Sequence, residues 1–385
     1  MEYKLKDLTV KITKGTTPSN IGEEFADSGV MYFRSELLGK SKYIDQTAGL
    51  LYISEHVHNR LKRSQIEKND ILFSMAGIYL GKISLVGEND YPANTNQAVA
   101  VIRLKPNICN LDYLYYYMIQ KGFTAYVNSI TAQAAQPNIN LEQIGNIKVK
   151  LPDINEQNSI ANILSAYDDL IENNNKRIRI LEQMAENLYK EWFVRFRFPG
   201  HENAEFENGL PKGWKVRKIK SCVKRLPFNQ LYKANELEKE GQVIVIDQST
   251  DEYLGFHNNE PSHYANFSNP IILFGDHSCK FKLMCKNFSL GENVIPFRSC
   301  NTTELNTFFL YYSVHKIIAT EEYKRHWNRF VNMKILIPPI TLQCDYSENV
   351  SLFAEEIEKI WLQNQNLIKQ RDMLLPRLMS GKLDV

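Results

Sequence analysis

The chain carries one long pattern twice, and this internal duplication limits its possible folds more than any other feature. Residues 149–157 read VKLPDINEQ, and a weaker copy at 336–344 reads LIPPITLQC. Each copy follows about 140 residues of mixed strand and helix patterning and opens a stretch with helical periodicity. Four blocks agree in order and spacing: YKLKDL (3–8) with WKVRKI (214–219), NDILFSMAG (69–77) with NPIILFGDH (269–277), DYLYYYM (112–118) with TFFLYYSV (307–314), and IKVKLP (147–152) with KILIPP (334–339). The sequence therefore predicts two similar domains, each followed by a long helix.

Both helical stretches carry a heptad seam. Apolar positions recur at alternating steps of four and three residues from 160 to 192 and again from 350 to 378, as in a coiled coil. Each seam contains one asparagine, Asn174 and Asn364, which we place at equivalent a-type positions, where a buried asparagine fixes helix register. The alternative is that each helix packs only on its own domain, with its asparagine on a wet edge. Pro376 is expected to disturb the last turn of the second helix.

The first helix is predicted from about residue 157 to 193, which at ~1.5 Å per residue gives a length of roughly 55 Å. That length is about the rise of 16 base pairs of B-DNA. The predicted fold class is α+β, with two repeated mixed domains separated by two long antiparallel coiled-coil helices in a pseudo-two-fold arrangement. The predicted boundaries are 1–150 for the first domain, 151–198 for the first helix, 199–338 for the second domain with its leading linker at 199–213, and 339–385 for the second helix.

Composition supports a folded, cytoplasmic protein. Hydrophobic residues make up 43% of the chain, which argues against disorder. We find no apolar run long enough to span a membrane and no export signal, and the six cysteines form no CxxC pair. The formal net charge is +3 over 1–150, −2 over 151–198, +3 over 199–338 and −2 over 339–385, so the charge pattern also repeats.

Motifs for catalysis are not found. The sequence has no GxGxxG or GxxxxGK[ST] phosphate loop and no tetrapeptide typical of an amino-methyltransferase. HVHN (56–59) lacks a further metal ligand at suitable spacing, and DHSCKFKLMC (276–285) fits a strand-turn-strand better than a thiol or metal site. Asp153 and Glu156 lie at a helix start, where a capping role is favoured. We therefore predict no catalytic residues and no metal site.

Polar, aromatic and basic clusters occupy comparable loops of the two predicted domains. Asn, Gln, Arg and Lys can read base edges, and Ser, Thr and Lys can hold phosphates. Each cluster taken alone also fits an ordinary solvated loop. KRHWNRF (324–330) is the best single case, because cationic residues flank Trp327. The other clusters are KGTTPSN (14–20), YFRSELLGKSK (32–42), SMAGIYLGK (74–82), ANTNQ (93–97), AQAAQPNIN (132–140), VKRLPFNQLYK (223–233), DQSTDEY (247–253) and DHSCKFK (276–282).

On these residues the chain resembles the DNA specificity subunit of type I restriction-modification systems, over essentially its whole length. The second copy departs from the pattern: Cys344 and Asp345 stand where the first copy has Asn158 and Ser159, and it lacks a match to QPNIN (136–140). The segments that carry the resemblance are GTTPS (15–19), NDILFSMAG (69–77), IGNIKVKLPDINEQNSIANILSAYDDLIENNNKRI (144–178), LYKEWFVRFRFPG (188–200), GLPKGWKV (209–216) and LPRLMSGKLDV (375–385).

The resemblance implies a non-catalytic protein with two target-recognition domains, each reading half of an asymmetric, interrupted DNA site, while the helices set the gap. It implies double-stranded DNA, two modification subunits and restriction subunits as partners. S-adenosylmethionine, ATP and Mg²⁺ would belong to those partners, and this chain would bind no cofactor. Two alternatives remain: a stand-alone nuclease or methyltransferase with a degenerate site around Asp153 or Asp276, and a coiled-coil scaffold that reads no DNA.

If the resemblance holds, each domain is expected to place its loops in a major groove. The base-reading candidates are Arg34, Asn96, Gln97, Gln136, Asn138, Gln248, Arg325, Asn328 and Arg329. The phosphate-binding candidates are Lys14, Thr16, Lys42, Lys82, Lys224, Lys280 and Lys282. Acidic residues on the outer faces of the helices are candidates for holding the modification subunits, with simple solvation as the alternative: Asp168, Asp169, Glu172 and Glu186.

Overall fold

The computed structural model describes residues 1–44, 46, 49–131, 137–249, 252–319 and 325–383. The chain forms two compact units. Unit 1 consists of Met1–Asn173 and Asn364–Val385, and unit 2 consists of Asn174–Gln363. Each long helix therefore contributes one part to each unit. Within the described ranges, no helix is both long and apolar enough to cross a membrane.

Unit 1 contains two four-stranded sheets and a two-stranded ribbon that joins its first strand to its last, with orders β2-β9-β6-β7, β4-β3-β8-β5 and β1-β10. Its strands are β1 Glu2–Lys4, β2 Thr9–Lys14, β3 Val30–Phe33, β4 Leu51–Ile53, β5 Gln65–Ile66, β6 Ile71–Ser74, β7 Ile83–Leu85, β8 Ala93–Thr95, β9 Val99–Leu104 and β10 Lys148–Lys150. Its short helices are α1 Glu55–Arg60, α2 Leu111–Met118, α3 Lys121–Thr131 and α4 Leu141–Gly145.

Unit 2 contains a four-stranded sheet of order β14-β20-β17-β18, a three-stranded sheet of order β16-β15-β19, and the ribbons β13-β21 and β11-β12. Its strands are β11 Phe206–Glu207, β12 Leu210–Pro211, β13 Lys215–Lys218, β14 Val223–Arg225, β15 Val243–Ile246, β16 Gly255–His257, β17 Ile271–Gly275, β18 Phe281–Met284, β19 Phe288–Leu290, β20 Val294–Ser299 and β21 Lys334–Ile337. Its short helices are α6 Thr307–Val314 and α7 Trp327–Asn332.

The two units share one topology. The order β2-β9-β6-β7 corresponds strand for strand to β14-β20-β17-β18, and the ribbon β1-β10 corresponds to β13-β21. Each unit also has one parallel pair, β3 with β8 and β15 with β19. Buried apolar side chains on these strands form the cores, as the matching blocks NDILFSMAG and NPIILFGDH predict. The predicted α+β class with a duplicated mixed domain and two long helices is confirmed.

The long helices are α5, Ile154–Tyr189, which ends in a π turn at Lys190–Val194, and α8, Ile340–Met379. They run antiparallel within each unit. In unit 1, Asp168 pairs with Arg371, and in unit 2, Arg177 pairs with Glu356. Pro376 lies inside α8, which continues to Met379, so the expected disturbance of the last turn is not observed.

A buried glutamine anchors the start of each long helix. Gln157 accepts a hydrogen bond from Asn110 N at 3.0 Å and donates one to Pro152 O at 2.9 Å. Gln343 accepts one from Asn306 N at 2.8 Å and donates to Pro338 O at 2.8 Å. Since Asn110 and Asn306 cap α2 and α6, the same clamp ties a helix of the domain to the start of the long helix in both copies. These are the glutamines of VKLPDINEQ and LIPPITLQC.

The clamp corrects the predicted equivalence of the two seam asparagines. Asn174 lies 17 residues after Gln157, whereas Asn364 lies 21 residues after Gln343, so they occupy neighbouring seam positions rather than the same one. Both side chains are buried, and Asn174 Nδ2 donates to Gln363 Oε1 at 3.3 Å. A role in helix register stays a prediction for each asparagine separately.

The predicted linker 199–213 is an ordered hairpin. β11 and β12 pair across Asn208 and Gly209, whose φ angles are +52° and +79°. Asn-Gly is the preferred sequence for such a two-residue turn, because both positions need a positive φ. This segment therefore contains secondary structure that the linker interpretation did not anticipate.

Candidate nucleic-acid interface

The parallel strand pair of unit 1 brings several predicted base-reading residues together. β3 and β8 are aligned so that Phe33 lies beside Thr95, and both strands end there. Arg34 follows β3 directly, and Asn96 and Gln97 follow β8 directly. Carboxyl ends of adjacent parallel strands lie at one edge of a sheet, where α/β proteins commonly bind ligands. We call Arg34, Asn96, Gln97 and the nearby Thr16 and Asn138 the unit 1 edge.

A tight turn after β2 holds Thr16 at this edge. Gly15 passes so close to β8 that a Cβ atom there would lie 2.0 Å from Thr95 O, so only glycine fits. Thr16 N donates to Thr95 O at 2.9 Å, and Thr16 Oγ1 accepts from Arg63 Nη2 at 3.0 Å. Thr17 Oγ1 donates to Gln97 Oε1. The predicted phosphate ligand Thr16 therefore lies within a network that also orients a predicted base reader.

The connection between β6 and β7 closes the other side of the unit 1 edge. Met75 N donates to Ala98 O at 2.8 Å, and Ile139 N donates to Met75 O at 2.9 Å. Asn138 forms a bridge with Ala76, and its side chain is exposed. These bonds hold Asn138 next to the segment that follows Asn96 and Gln97. Arg34 is about one third exposed and pairs with Glu36 at 3.0 Å, which partly neutralises its charge.

Unit 2 presents an edge at the corresponding position. Asp247 and Gln248 follow β15, which runs parallel to β19. Gln248 Oε1 accepts from His277 N at 3.1 Å, which ties this edge to the loop between β17 and β18. We call Gln248, His277 and Arg325 the unit 2 edge.

One carboxylate fixes Arg325 at that edge. The side chain of Asp276 accepts from His326 N at 3.1 Å and from Trp327 N at 2.9 Å, and so holds the start of α7 against the hairpin. Arg325 Nε lies 3.9 Å from Asp276 Oδ2, while the arginine side chain is 79% exposed. The arginine is therefore anchored at its base and open at its tip. This arrangement matches unit 1, where the segment preceding α4 docks on the β6–β7 connection.

The remaining candidates fall into three groups. Lys14 ends β2 next to Gly15, Lys82 stacks over Tyr79 at 4.8 Å, and Lys280 and Lys282 lie on or beside β18, where Lys282 Nζ donates to Glu252 O at 2.6 Å. Lys224, Asn328 and Arg329 are exposed elsewhere in unit 2, and Asn328 lines a cleft with Lys220, Arg225 and Trp327. Gln136 lies outside the described residues.

Lys42 does not fit its predicted phosphate contact. Its side chain is only 4% exposed, and the ammonium lies 3.0 Å from both Asp112 Oδ1 and Ser165 Oγ. It joins the domain of unit 1 to α5. The charge is satisfied inside the protein, so we remove Lys42 from the interface.

Two of the four acidic helix residues are also internal. Asp168 is buried and accepts hydrogen bonds from Tyr116 Oη and Arg371 Nη1. Glu186 pairs with Lys316 at 2.6 Å and with His315 at 3.4 Å. Burial alone would raise the pKa of Glu186, but Lys316 and His315 lower it. The docking prediction is wrong for Asp168 and unsupported for Glu186, whereas Asp169 is exposed and Glu172 is half-buried.

Trp327 is not an open stacking platform. Its ring packs against Phe274, Phe297 and Phe330 within 5.8 Å between centroids, as part of the unit 2 core.

The sequence interpretation also missed Arg63, which orients Thr16 and has no signature in the local pattern. Among the residues that the structure describes, no three His, Cys, Asp or Glu side chains group to hold a metal ion.

Known proteins share both the sequence pattern and the fold. The family model for the type I restriction modification DNA specificity domain matches residues 1–183. The chain is 25% identical to the specificity subunit of the type I restriction enzyme MjaIX of Methanocaldococcus jannaschii, over 99% of this chain and 93% of that protein. It is 28% identical to the MjaVIII specificity subunit of the same organism, over 56% of this chain and 47% of that protein.

A solved structure supports the fold. The crystal structure of the type I restriction-modification S subunit from M. genitalium matches with a TM-score of 0.52 at 16% identity, covering 98% of this chain and 95% of that one. The domain model covers the first domain and most of α5, and the relative matched over nearly its full length extends the similarity across unit 2. Along its length the chain is thus similar to the DNA specificity subunits of type I restriction-modification systems.

Proposed function

We propose that this chain reads DNA for a type I restriction-modification complex, with the unit 1 edge and the unit 2 edge each reading one half of an interrupted site. One observation carries the proposal. In both copies of the fold, side chains able to contact base edges follow a strand of the parallel pair, beside the loop between the third and fourth strands of the larger sheet. Two corresponding positions with this chemistry, one in each unit, fit the two halves of one DNA site.

The proposed division of labour follows from side-chain chemistry. Amides such as Asn96, Gln97, Asn138 and Gln248 can bind adenine in two places, and the exposed guanidinium of Arg325 can do the same for guanine. Arg34, Asn328, Arg329 and Gln136 remain weaker proposals as base readers. Phosphate contacts, which position the protein without reading sequence, are proposed for Lys14, Thr16, Lys82, Lys224, Lys280 and Lys282.

We propose that the chain is, like the specificity subunits it resembles, a recognition component and not itself an enzyme. We propose two modification subunits as partners, which would bring S-adenosylmethionine, and restriction subunits, which would use ATP and Mg²⁺. Two copies of one partner suit a duplicated protein, because matching surfaces can receive identical molecules. Such a complex would work in the cytoplasm, where chromosomal DNA lies.

Genome-wide mapping of methylated adenines tests the proposal. In cells that carry this chain and its partners, we expect one interrupted, asymmetric two-part motif. Loss of the chain should abolish methylation at that motif. A continuous motif would contradict the two-reader proposal. Methylation or cleavage by the purified chain alone would support a stand-alone enzyme instead, and no sequence-specific protection in footprinting with the partners would support a scaffold.

A matched pair of insertions tests the role of the helices. Seven residues inserted after Asn173 in α5 and after Gln363 in α8 keep the heptad phase and add roughly 10 Å of helix. We expect the gap in the methylated motif to grow by about three base pairs while both half-sites stay unchanged. Seven residues inserted at the Asn208-Gly209 turn serve as the control and should leave the gap unchanged.

A further inference from the structure

Unit 1 displays an apolar side chain beside its edge. Ile78 lies in the connection between β6 and β7 and is 88% exposed. Single exposed apolar residues are common on protein surfaces and need no explanation by themselves. Ile78 differs in two respects that can be examined: how firmly its backbone is held, and which residues surround its position.

The backbone around Ile78 is pinned by hydrogen bonds. Gly77 adopts a φ of +69°, which starts a 3-10 turn over Gly77–Tyr79. Gly77 N donates to Pro137 O at 3.2 Å, Leu80 N donates to Gly77 O at 3.1 Å, and Gly81 N donates to Ser74 O at 2.9 Å. Bonds on both sides of Ile78 therefore fix the direction in which its side chain leaves the surface.

The backbone segment that carries Ile78 is bonded to the segments that hold the amides proposed to read DNA. Ala76 bridges to Asn138, and Met75 N bonds to Ala98 O, directly after Asn96 and Gln97. In the major groove, an Asn or Gln side chain binds the N6 and N7 atoms of adenine. The thymine paired with that adenine exposes its C5-methyl group in the same groove, where an aliphatic side chain can contact it.

We propose that Ile78 packs against the C5-methyl group of a thymine in the half-site read by unit 1, so that an amide and an aliphatic side chain together select an A·T pair. This inference rests on the proposed function, since it assumes that the unit 1 edge enters a major groove. Ile78 is then a specificity-determining residue that hydrogen-bonding chemistry alone does not reveal.

The corresponding loop of unit 2 has no counterpart of Ile78. That loop, Asp276 to Lys280, is fully described and carries no exposed large apolar side chain. His277 and Ser278 occupy the turn, and both are half-buried. The methyl contact therefore belongs to one half-site only, which is consistent with an asymmetric recognition sequence.

Deoxyuridine substitution provides the test, because uracil lacks only the methyl group. The mapped duplex is prepared with each thymine of the unit 1 half-site replaced in turn, and binding of the full chain with its modification subunits is measured by fluorescence anisotropy. For the wild-type protein, one replacement should weaken binding about fourfold, as expected for one methyl group. Ile78→Ala should bind that thymine duplex about fourfold more weakly than wild type and should not distinguish thymine from uracil there.

Val10→Ala is the matched control, since Val10 is also an exposed apolar residue of unit 1, on β2, and should leave both affinities unchanged. A unit 1 half-site without any A·T pair overturns the inference. So does an Ile78→Ala protein that still discriminates uracil as wild type does, or one that only loses its modification subunits. Specific binding without methyl discrimination overturns this inference alone, whereas absence of any sequence preference overturns the proposed function as well.

Discussion

The two units attach their domains to the long helices with different chemistry. In unit 1 the attachment is ionic: Asp168 on α5 accepts hydrogen bonds from Tyr116 on α2 and from Arg371 on α8. Lys42 adds a second polar link, to Asp112 and Ser165. Because Tyr116 is buried next to a carboxylate, its pKa is raised. The charges in this junction are largely removed from water and depend on one another.

In unit 2 the same positions are apolar. Counted from the clamp glutamines, Ala354 stands where unit 1 has Asp168, and Ala185 stands where it has Arg371. The space is filled by Tyr346, which is fully buried and donates its hydroxyl proton to Ala185 O at 3.1 Å. Its ring packs on Phe193 and Tyr312 at 5.2 Å and 5.8 Å between centroids.

The same duplicated fold thus joins its domain to the long helices in two ways, and the two junctions should respond differently to mutation. A buried ion pair fails steeply when one partner is removed, because the other charge is left uncompensated. An aromatic cluster responds instead to lost volume. The clamp glutamines are common to both units, so they set a reference against which the two junctions can be compared.

The largest effect is expected from breaking the ionic junction. Asp168→Ala removes the buried carboxylate partner of Arg371 and leaves only the exposed Asp372, which should lower the stability of unit 1 by about 3 kcal/mol. The double variant Asp168→Ala with Arg371→Ala imitates the two alanines of unit 2 and should recover much of that loss. Native-state hydrogen exchange, read separately for peptides of each unit, measures the change.

Arg177→Ala is the control for that comparison. Its partner Glu356 lies at 2.9 Å, but both side chains are about half exposed, so the loss should stay within about 1 kcal/mol. If Asp168→Ala were as mild as Arg177→Ala, or if the double variant were less stable than Asp168→Ala, the ionic account of the unit 1 junction would be wrong.

The clamp should give the next largest effect, and a similar one in both units. Gln343→Leu leaves Asn306 N and the carbonyls of Glu304 and Pro338 without their partner, at a cost of about 2–3 kcal/mol. Gln157→Leu should cost somewhat less, since Gln157 makes two such bonds. Hydrogen exchange at the starts of α2 and α6 reports each loss. Gln183→Leu, at an exposed position of α5, should change neither.

The sequence predicted the frame well because repetition and periodicity are properties of the pattern itself. The duplicated domain, both long helices and the matching aromatic helices follow from residues that recur in register. The sequence pattern does not show which individual charged side chains are buried. A heptad seam shows which face of a helix meets its partner helix, but Asp168 lies beside the seam, on the flank that the domain covers.

The sequence identified the candidate nucleic-acid interface only as a set of separate loops, because it does not show which loops lie together in the fold. Sequence spacing could not indicate that the two strands ending at Phe33 and Thr95 are parallel neighbours, which is what unites Arg34 with Asn96. Trp327 was misjudged because its cationic neighbours suggested exposure, whereas its partly buried ring packs against the core. In contrast, the Asn208-Gly209 hairpin had a clear local signal that the linker interpretation overlooked.

A smaller effect, measured as loss of DNA affinity, is expected from substitutions at the unit 1 edge and the unit 2 edge. Arg325→Ala should weaken specific binding by about 1–3 kcal/mol and relax the choice of one base pair. Arg34→Ala should do less, because Glu36 already pairs with Arg34. Binding to the mapped duplex and to single-base variants is the measurement, with Arg217→Ala on β13 as the control. A uniform loss on every sequence would make Arg325 a phosphate contact.

The smallest expected effect is a difference between the two units in how their stability changes as the pH falls. His257 of unit 2 accepts Asn259 N–H on Nδ1 at 3.1 Å, so its proton lies on Nε2, which donates to Ser289 Oγ at 2.9 Å. Burial lowers the pKa of His257 below its ordinary value of about 6.5. Above that value both folded and unfolded forms are neutral, and the contribution to stability is complete. As pH falls below about 6.5, the unfolded chain binds the proton first, so stability decreases until the lowered pKa is passed.

In unit 1, a buried carboxyl group should respond to acid with the opposite sign. Burial raises the pKa of Asp90, so the folded form binds a proton before the unfolded form does, and acidification favours folding at that carboxyl group. Exchange of the β15–β16 amides, corrected for the chemical rate, should therefore accelerate between about pH 7 and pH 5, and His257→Gln should flatten that change. Equal acceleration in the wild type and in His257→Gln would show that another group of unit 2 governs its response to acid.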